Sequence, residues 1–109
     1  EYDQIATAAG ASLQAAPRTT VLIWAPLKDL ETFDRLVRSL EALRPACGVV
    51  AEVRLRPPLN PMRLNGCAVV ALNPPAGLAE EAQAACVWTA RALGEPGGLG
   101  RVWPLQPQA

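Results

Sequence analysis

The sequence predicts an α/β fold, a sheet with helices on its faces, from three observations. Two short apolar runs, Thr19–Ala25 ("TTVLIWA") and Cys67–Leu72 ("CAVVAL"), lack polar alternation, as strands covered on both faces do. Three other segments carry apolar residues at helical spacing. Helical and strand-like segments alternate along the chain, the order from which layered α/β sheets are built.

Residues 1–16 are Ala-rich, with Tyr2, Ile5, Ala8/Ala9 and Leu13 at helical spacing. Acids at Glu1 and Asp3 suit a helix start and Pro17 a helix end. The run 19–25 follows as a strand closed by Pro26. Asp29 is placed to cap a helix from Leu30 to about Leu43. Leu30, Phe33, Leu36/Val37, Leu40 and Leu43 form its apolar stripe, and Glu31, Asp34, Arg35, Arg38 and Glu41 fall outside it.

Residues 49–56 ("VVAEVRLR") alternate, with Val49, Ala51, Val53 and Leu55 on one face and Glu52, Arg54 and Arg56 on the other. That predicts a strand with one wet face near a sheet edge. A ten-residue loop with three prolines, Pro57–Gly66, leads to the strand 67–72. After Pro74-Pro75 and Gly77, residues 78–93 read as a helix with Glu80 and Glu81 in its first turn and Arg91 in its last. Val102-Trp103 suggests a short final strand.

The helix between strands 19–25 and 49–56 makes those two parallel through a right-handed crossover. The link to 67–72 has no helix, so that strand returns antiparallel, and its apolar character places it between the other two.

At 109 residues the chain is one domain's worth, residues 1–109 forming one unit. Half the residues are hydrophobic and 18% are charged, a globular balance. Ten basic and ten acidic residues give no general polyanion-binding excess. Three cysteines (Cys47, Cys67, Cys86) and no histidine exclude a Ser-His pair and argue against a zinc site or disulfide framework. The cysteines are expected to be buried in a reducing, cytoplasmic setting. No metal site, membrane span or signal peptide is expected. The segment "GEPGGLG" (94–100) lacks Lys-Ser/Thr and follows a helix, unlike a phosphate loop.

Three segments carry a family resemblance: "TTVLIWAPLKD" (19–29), "EVRLRP" (52–57) and "MRLNGCAVVALNPPAGL" (62–78). In this order and spacing they resemble the bacterial 23S ribosomal RNA adenine-N6 methyltransferases, earlier described as proteins for using external DNA as a nutrient. Ala25 stands where that family's Trp-Tyr-Pro-like segment has an aromatic, and Ala76 where its Asn-Pro-Pro-Trp has tryptophan.

The resemblance implies the C-terminal half of a Rossmann-like class I methyltransferase sheet, two parallel strands with an antiparallel one inserted. It implies S-adenosylmethionine as cofactor, bound mainly by an N-terminal part outside these residues, and ribosomal RNA as partner. It puts the catalytic Asp-Pro-Pro motif just upstream of Glu1, so no catalytic residue is expected in this chain and the chain alone should be inactive. The remainder of the polypeptide would then be its first partner.

Asn73-Pro74-Pro75 has the composition of an amino-group methyltransferase motif, whose oxygens accept from the target amine while an aromatic stacks on the base. Ala76 offers no stacking surface. Ligands of open parallel sheets gather at the carboxyl ends of the parallel strands, and an antiparallel strand 67–72 ends roughly 20 Å away at ~3.3 Å per residue. A rigid strand-to-helix turn is the expectation there.

The same reasoning puts Trp24, Pro26 and Lys28 at the cleft edge, with Tyr2 beside it. The competing reading is that Trp24 is core and Lys28 a solvated residue before a helix. Arg54, Arg56 and Arg63, around the loop 57–66, are candidate RNA phosphate contacts; ordinary surface arginines are the alternative. A function of another class also fits: a non-catalytic α/β module that binds a partner or pairs with itself through the unpaired edge of strand 19–25.

Overall fold

β-Branched runs and amphipathic segments set the elements of the computed structural model, which describes residues 2–106. In chain order they are α1 (Tyr2–Ala15), β1 (Val21–Leu27), α2 (Leu30–Glu41), β2 (Gly48–Arg54), β3 (Gly66–Leu72), α3 (Leu78–Leu93) and β4 (Leu99–Pro104). All six expected elements from 2 to 93 are present, and the final strand is six residues long. The expected acid at Glu1 lies outside the described residues.

The strands form one sheet in the order β1-β3-β2-β4. β3 lies between β1 and β2 and runs antiparallel to both, with Leu72 opposite Val21 and Gly48, and Gly66 opposite Leu27 and Arg54. β1 and β2 therefore point the same way without touching. β4 is antiparallel to β2. All three ladders are antiparallel, so the parallel pairing of a Rossmann sheet is not seen among the described residues.

Helices α1 and α2 cover one face. Ile23, Ala25 and Leu27 of β1, Val50 of β2, and Ala68, Val70 and Leu72 of β3 meet Phe33, Leu36, Val37 and Leu40 of α2 in one core with Ala9 of α1. Asp29 caps α2, its carboxylate accepting from the Thr32 N–H at 2.8 Å. Exposed Glu31–Arg35 and Asp34–Arg38 pairs, one turn apart, line its outer side and add only a few tenths of a kcal/mol each, roughly 0.3–0.5. Helix α3 covers the other face over β2 and β4. Gly100 allows that contact, because a Cβ there would stand 2.2 Å from the Cys86 carbonyl oxygen.

Six expectations are corrected. β1 spans 21–27 rather than 19–25 and runs through Pro26, which is tolerated because β1 is an edge strand. It is also covered on one face only: Leu22 and Trp24, 65% and 57% exposed, alternate with buried neighbours beyond the reach of α3. β2 is interior rather than near an edge, because β4 pairs along it. Its polar face turns inward, with Glu52 only 1% exposed, while Val49, Ala51 and Val53 are half-buried. Glu41 is buried as well and accepts from the Gln106 N–H at 2.6 Å. Of the cysteines only Cys86 is buried; Cys47 is exposed and Cys67 intermediate.

Candidate functional site

Where β1 ends, the chain turns through Lys28 and Asp29 into α2, and the start of α1 lies alongside. A cavity of about 440 Å³ opens there, lined by Tyr2, Asp3, Pro26, Lys28, Thr32 and Arg35 among others. Three of the four cleft residues expected from the sequence thus come together. The Tyr2 hydroxyl reaches toward the Pro26 carbonyl oxygen at 3.4 Å, a long contact. Trp24 does not line the cavity; it stands on the open face of β1 beside Leu22. Arg35, assigned from the sequence only to a solvated helix face, and Thr32, in the first turn of α2, line the cavity's open rim while remaining exposed.

The loop between β2 and β3 is fastened to the same end of the sheet by Asn65. Its backbone N–H donates to the Leu27 carbonyl at 2.8 Å, and its side-chain amide donates to the carbonyls of Lys28 (2.8 Å) and Asn60 (3.0 Å). Asn65 is buried, and its Oδ1 has no hydrogen-bond partner among the described residues. Sequence reasoning passed over it; the Asn65-Gly66 dipeptide signals a turn, but only the folded sheet brings β1 within reach.

The three candidate arginines take different positions. Arg54 pairs with Glu52 along β2 and is largely enclosed. Arg56 donates to Glu95 at 2.9 Å and to the Leu64 carbonyl at 2.7 Å, closing the loop against the end of α3. Arg63 is half-exposed and 3.6 Å from Glu95. The hydrogen bond from Arg56, with the charges of Arg56 and Arg63, holds the Glu95 carboxyl below its ordinary range. Burial of Glu52 pushes its carboxyl up, but hydrogen bonds from Arg54, Trp103 and Arg101 outweigh this and the net shift is downward.

Asn73-Pro74-Pro75 lies at the opposite end of the sheet, next to the start of β1. Asn73 adopts φ +53°, and its amide nitrogen donates to the carbonyls of Pro17 (2.9 Å) and Thr19 (3.1 Å). Its N–H donates to the Cys47 carbonyl at 2.9 Å. Asn73 thus joins three connections of the fold, its side-chain amide binding the one before β1 and its N–H the one before β2.

Residues 1–105 match the family model described as Ribosomal RNA large subunit methyltransferase D, RlmJ. The chain belongs to this family. The fold of the RlmJ-family chain is also that of a solved structure, protein LPL1258 of Legionella pneumophila str. Philadelphia 1, described under family DUF519. The TM-score is 0.84 at 17% identity, over 94% of this chain and 38% of that one. The chain thus spans well under half the length of that relative. No curated protein matches it.

A family of methyltransferases raises the question of S-adenosylmethionine. The β1–α2 turn, Pro26-Leu27-Lys28-Asp29, contains no glycine, so it lacks the close backbone approach by which strand–turn–helix units grip such cofactors. The described residues around the cavity do not make a complete cofactor site. Among them, too, no three His, Cys, Asp or Glu side chains converge as metal ligands, and no helix is long and apolar enough to cross a membrane.

Proposed function

We propose that this chain is the C-terminal portion of an S-adenosylmethionine-dependent methyltransferase acting on adenine N6 of 23S ribosomal RNA. It supplies sheet scaffold and one wall of the substrate cleft. The observation that carries this reading is the cavity at the C-terminal end of β1, where Tyr2, Pro26 and Lys28 meet, in a chain matching the RlmJ family.

In this reading the cofactor and the Asp-Pro-Pro motif belong to the remainder of the polypeptide, and the complete enzyme works in the cytoplasm. Tyr2 and Pro26 border the space for the nucleotide. Lys28, whose ammonium has no ion-pair partner among the described residues, neutralises a phosphate beside it. Arg63 is the most available of the candidate RNA arginines, while Arg54 and Arg56 act chiefly by holding the loop.

Transfer of labelled methyl from S-adenosylmethionine to 23S ribosomal RNA tests the reading. The 109-residue chain alone should transfer nothing and bind no cofactor by calorimetry. The longer protein should transfer, and Lys28→Ala in it should raise KM for RNA about fivefold, the loss of one phosphate contact. Stoichiometric cofactor binding by the chain alone would sink the assignment.

A second reading rests on β1, a sheet edge whose open face shows Leu22 and Trp24. Such an edge templates pairing, with the rest of the polypeptide or with a second copy. Light scattering of the isolated chain distinguishes these, since self-pairing predicts a concentration-dependent dimer.

A further inference from the structure

The loop between β2 and β3 presents two large apolar side chains almost wholly to solvent, Leu59 at 86% and Met62 at 89% exposure. A single exposed leucine requires no explanation. Here, however, the loop is built to hold both in place. Pro57, Pro58 and Pro61 restrict its backbone. Leu59 N–H donates to the Pro57 carbonyl (2.8 Å), Met62 N–H to Asn60 Oδ1 (3.0 Å) and Arg63 N–H to the Asn60 carbonyl (3.1 Å).

The Asn65 amide nitrogen then binds the carbonyls of Asn60 and Lys28 together. The apolar tip is thereby fixed, through one side chain, to the backbone of a residue that lines the cavity. Two cations belong to this neighbourhood: Lys28, whose carbonyl Asn65 binds, and half-exposed Arg63 within the loop itself. The carboxylate of Glu95 is shared between Arg56 and Arg63, so the loop face keeps a positive excess.

We propose that residues 57–64 form an RNA-unstacking wedge, Leu59 and Met62 occupying the space beside a nucleotide that leaves its stack while Arg63 and Lys28 neutralise the flanking phosphates. This rests on the RNA-directed reading above. Chemistry on a base requires that it leave its stack, and aliphatic side chains inserted at base steps hold such openings. Charge complementarity commits the occupant to a polyanion rather than to a second copy of the chain.

The test uses an RNA hairpin with 2-aminopurine at one unpaired loop position, titrated with the full 109-residue chain. Binding should raise the probe's fluorescence as it unstacks. The double variant Leu59→Ser/Met62→Ser, altering only exposed side chains and checked for folding by circular dichroism, should abolish that rise. It should also weaken binding about tenfold, from lost apolar contact, with no change in salt dependence. Arg63→Ala should instead reduce the salt slope by about one.

Wild-type affinity and fluorescence in the double variant would overturn the wedge, as would absence of RNA binding by the wild-type chain. A dimer of the wild-type chain that the two serines dissolve would overturn it too, by assigning the tip to self-association. An unchanged rate of methyl transfer by the longer protein carrying both serines would remove the wedge while leaving the methyltransferase reading intact.

Discussion

Replacing Glu52 should destabilise this protein more than any other single charge removal. Glu52 is buried at the centre of the sheet, and three donors converge on it: Arg54 Nε, Arg101 Nε at 3.0 Å and Trp103 Nε1 at 3.0 Å. Two of these donors lie on β4, so the carboxylate also fastens that strand to β2. Removing one partner of a buried ion pair costs about 3–5 kcal/mol. Glu52→Ala belongs at the low end, about 3 kcal/mol, because Arg101 is half-exposed and regains water while Arg54 stays largely enclosed. Against a typical stability of about 5–15 kcal/mol that is a large share. Urea unfolding followed by tryptophan fluorescence should show it as a midpoint lower by roughly 1–3 M.

The pH dependence gives a second readout. The folded carboxyl of Glu52 titrates below its unfolded counterpart, so its stabilisation is complete above the unfolded value of about 4.3 and fades as pH falls through the lower folded one. Wild type should lose stability over that acidic window, and Glu52→Gln should lack that component. A Glu52→Ala protein within about 0.5 kcal/mol of wild type, the range of ordinary surface changes, would refute the argument.

Three further outcomes are expected. Gly100→Ala should force β4 away from α3 and lower stability by about 1–3 kcal/mol, since the new Cβ meets the Cys86 carbonyl; thermal unfolding measures it. Asn65→Ala should cost about 1–3 kcal/mol and speed amide hydrogen exchange across residues 57–64, with little change in α3. Native-state alkylation read by mass spectrometry should modify exposed Cys47 quickly and buried Cys86 only on unfolding, burial also raising the Cys86 thiol's pKa.

The helices were readable because their evidence is local. Asp29 as a cap, the stripe from Phe33 to Leu40 and the Glu80–Arg91 polarity of α3 are properties of neighbouring residues, and packing agrees with them. The strand order of β1, β3 and β2 also followed from local features, since a helical link and a ten-residue link constrain direction differently. The cavity was readable in part: Tyr2, Pro26 and Lys28 could be placed by strand direction, whereas Asp3, Thr32 and Arg35 could not.

The inversion of β2 shows where local evidence fails. Alternation says which residues share a face but not which face is covered. Val49, Ala51 and Val53 looked like the inner set by hydrophobicity, yet Val50 and Glu52 are the buried residues. The deciding partners, Arg101 and Trp103, lie some fifty residues on, in a strand of which the sequence signalled only two residues.

The amino-acid sequence by itself determined the element types, their order and the family, because propensity, capping and motif spacing act between near neighbours. Tertiary structure alone decided which polar groups are enclosed. It buried Glu52 and Glu41, bound Asn65 to Lys28 and turned Asn73 toward Pro17 and Thr19. Burying a polar group is tolerable only where partners converge on it, and in each of these cases the partner comes from a distant part of the chain.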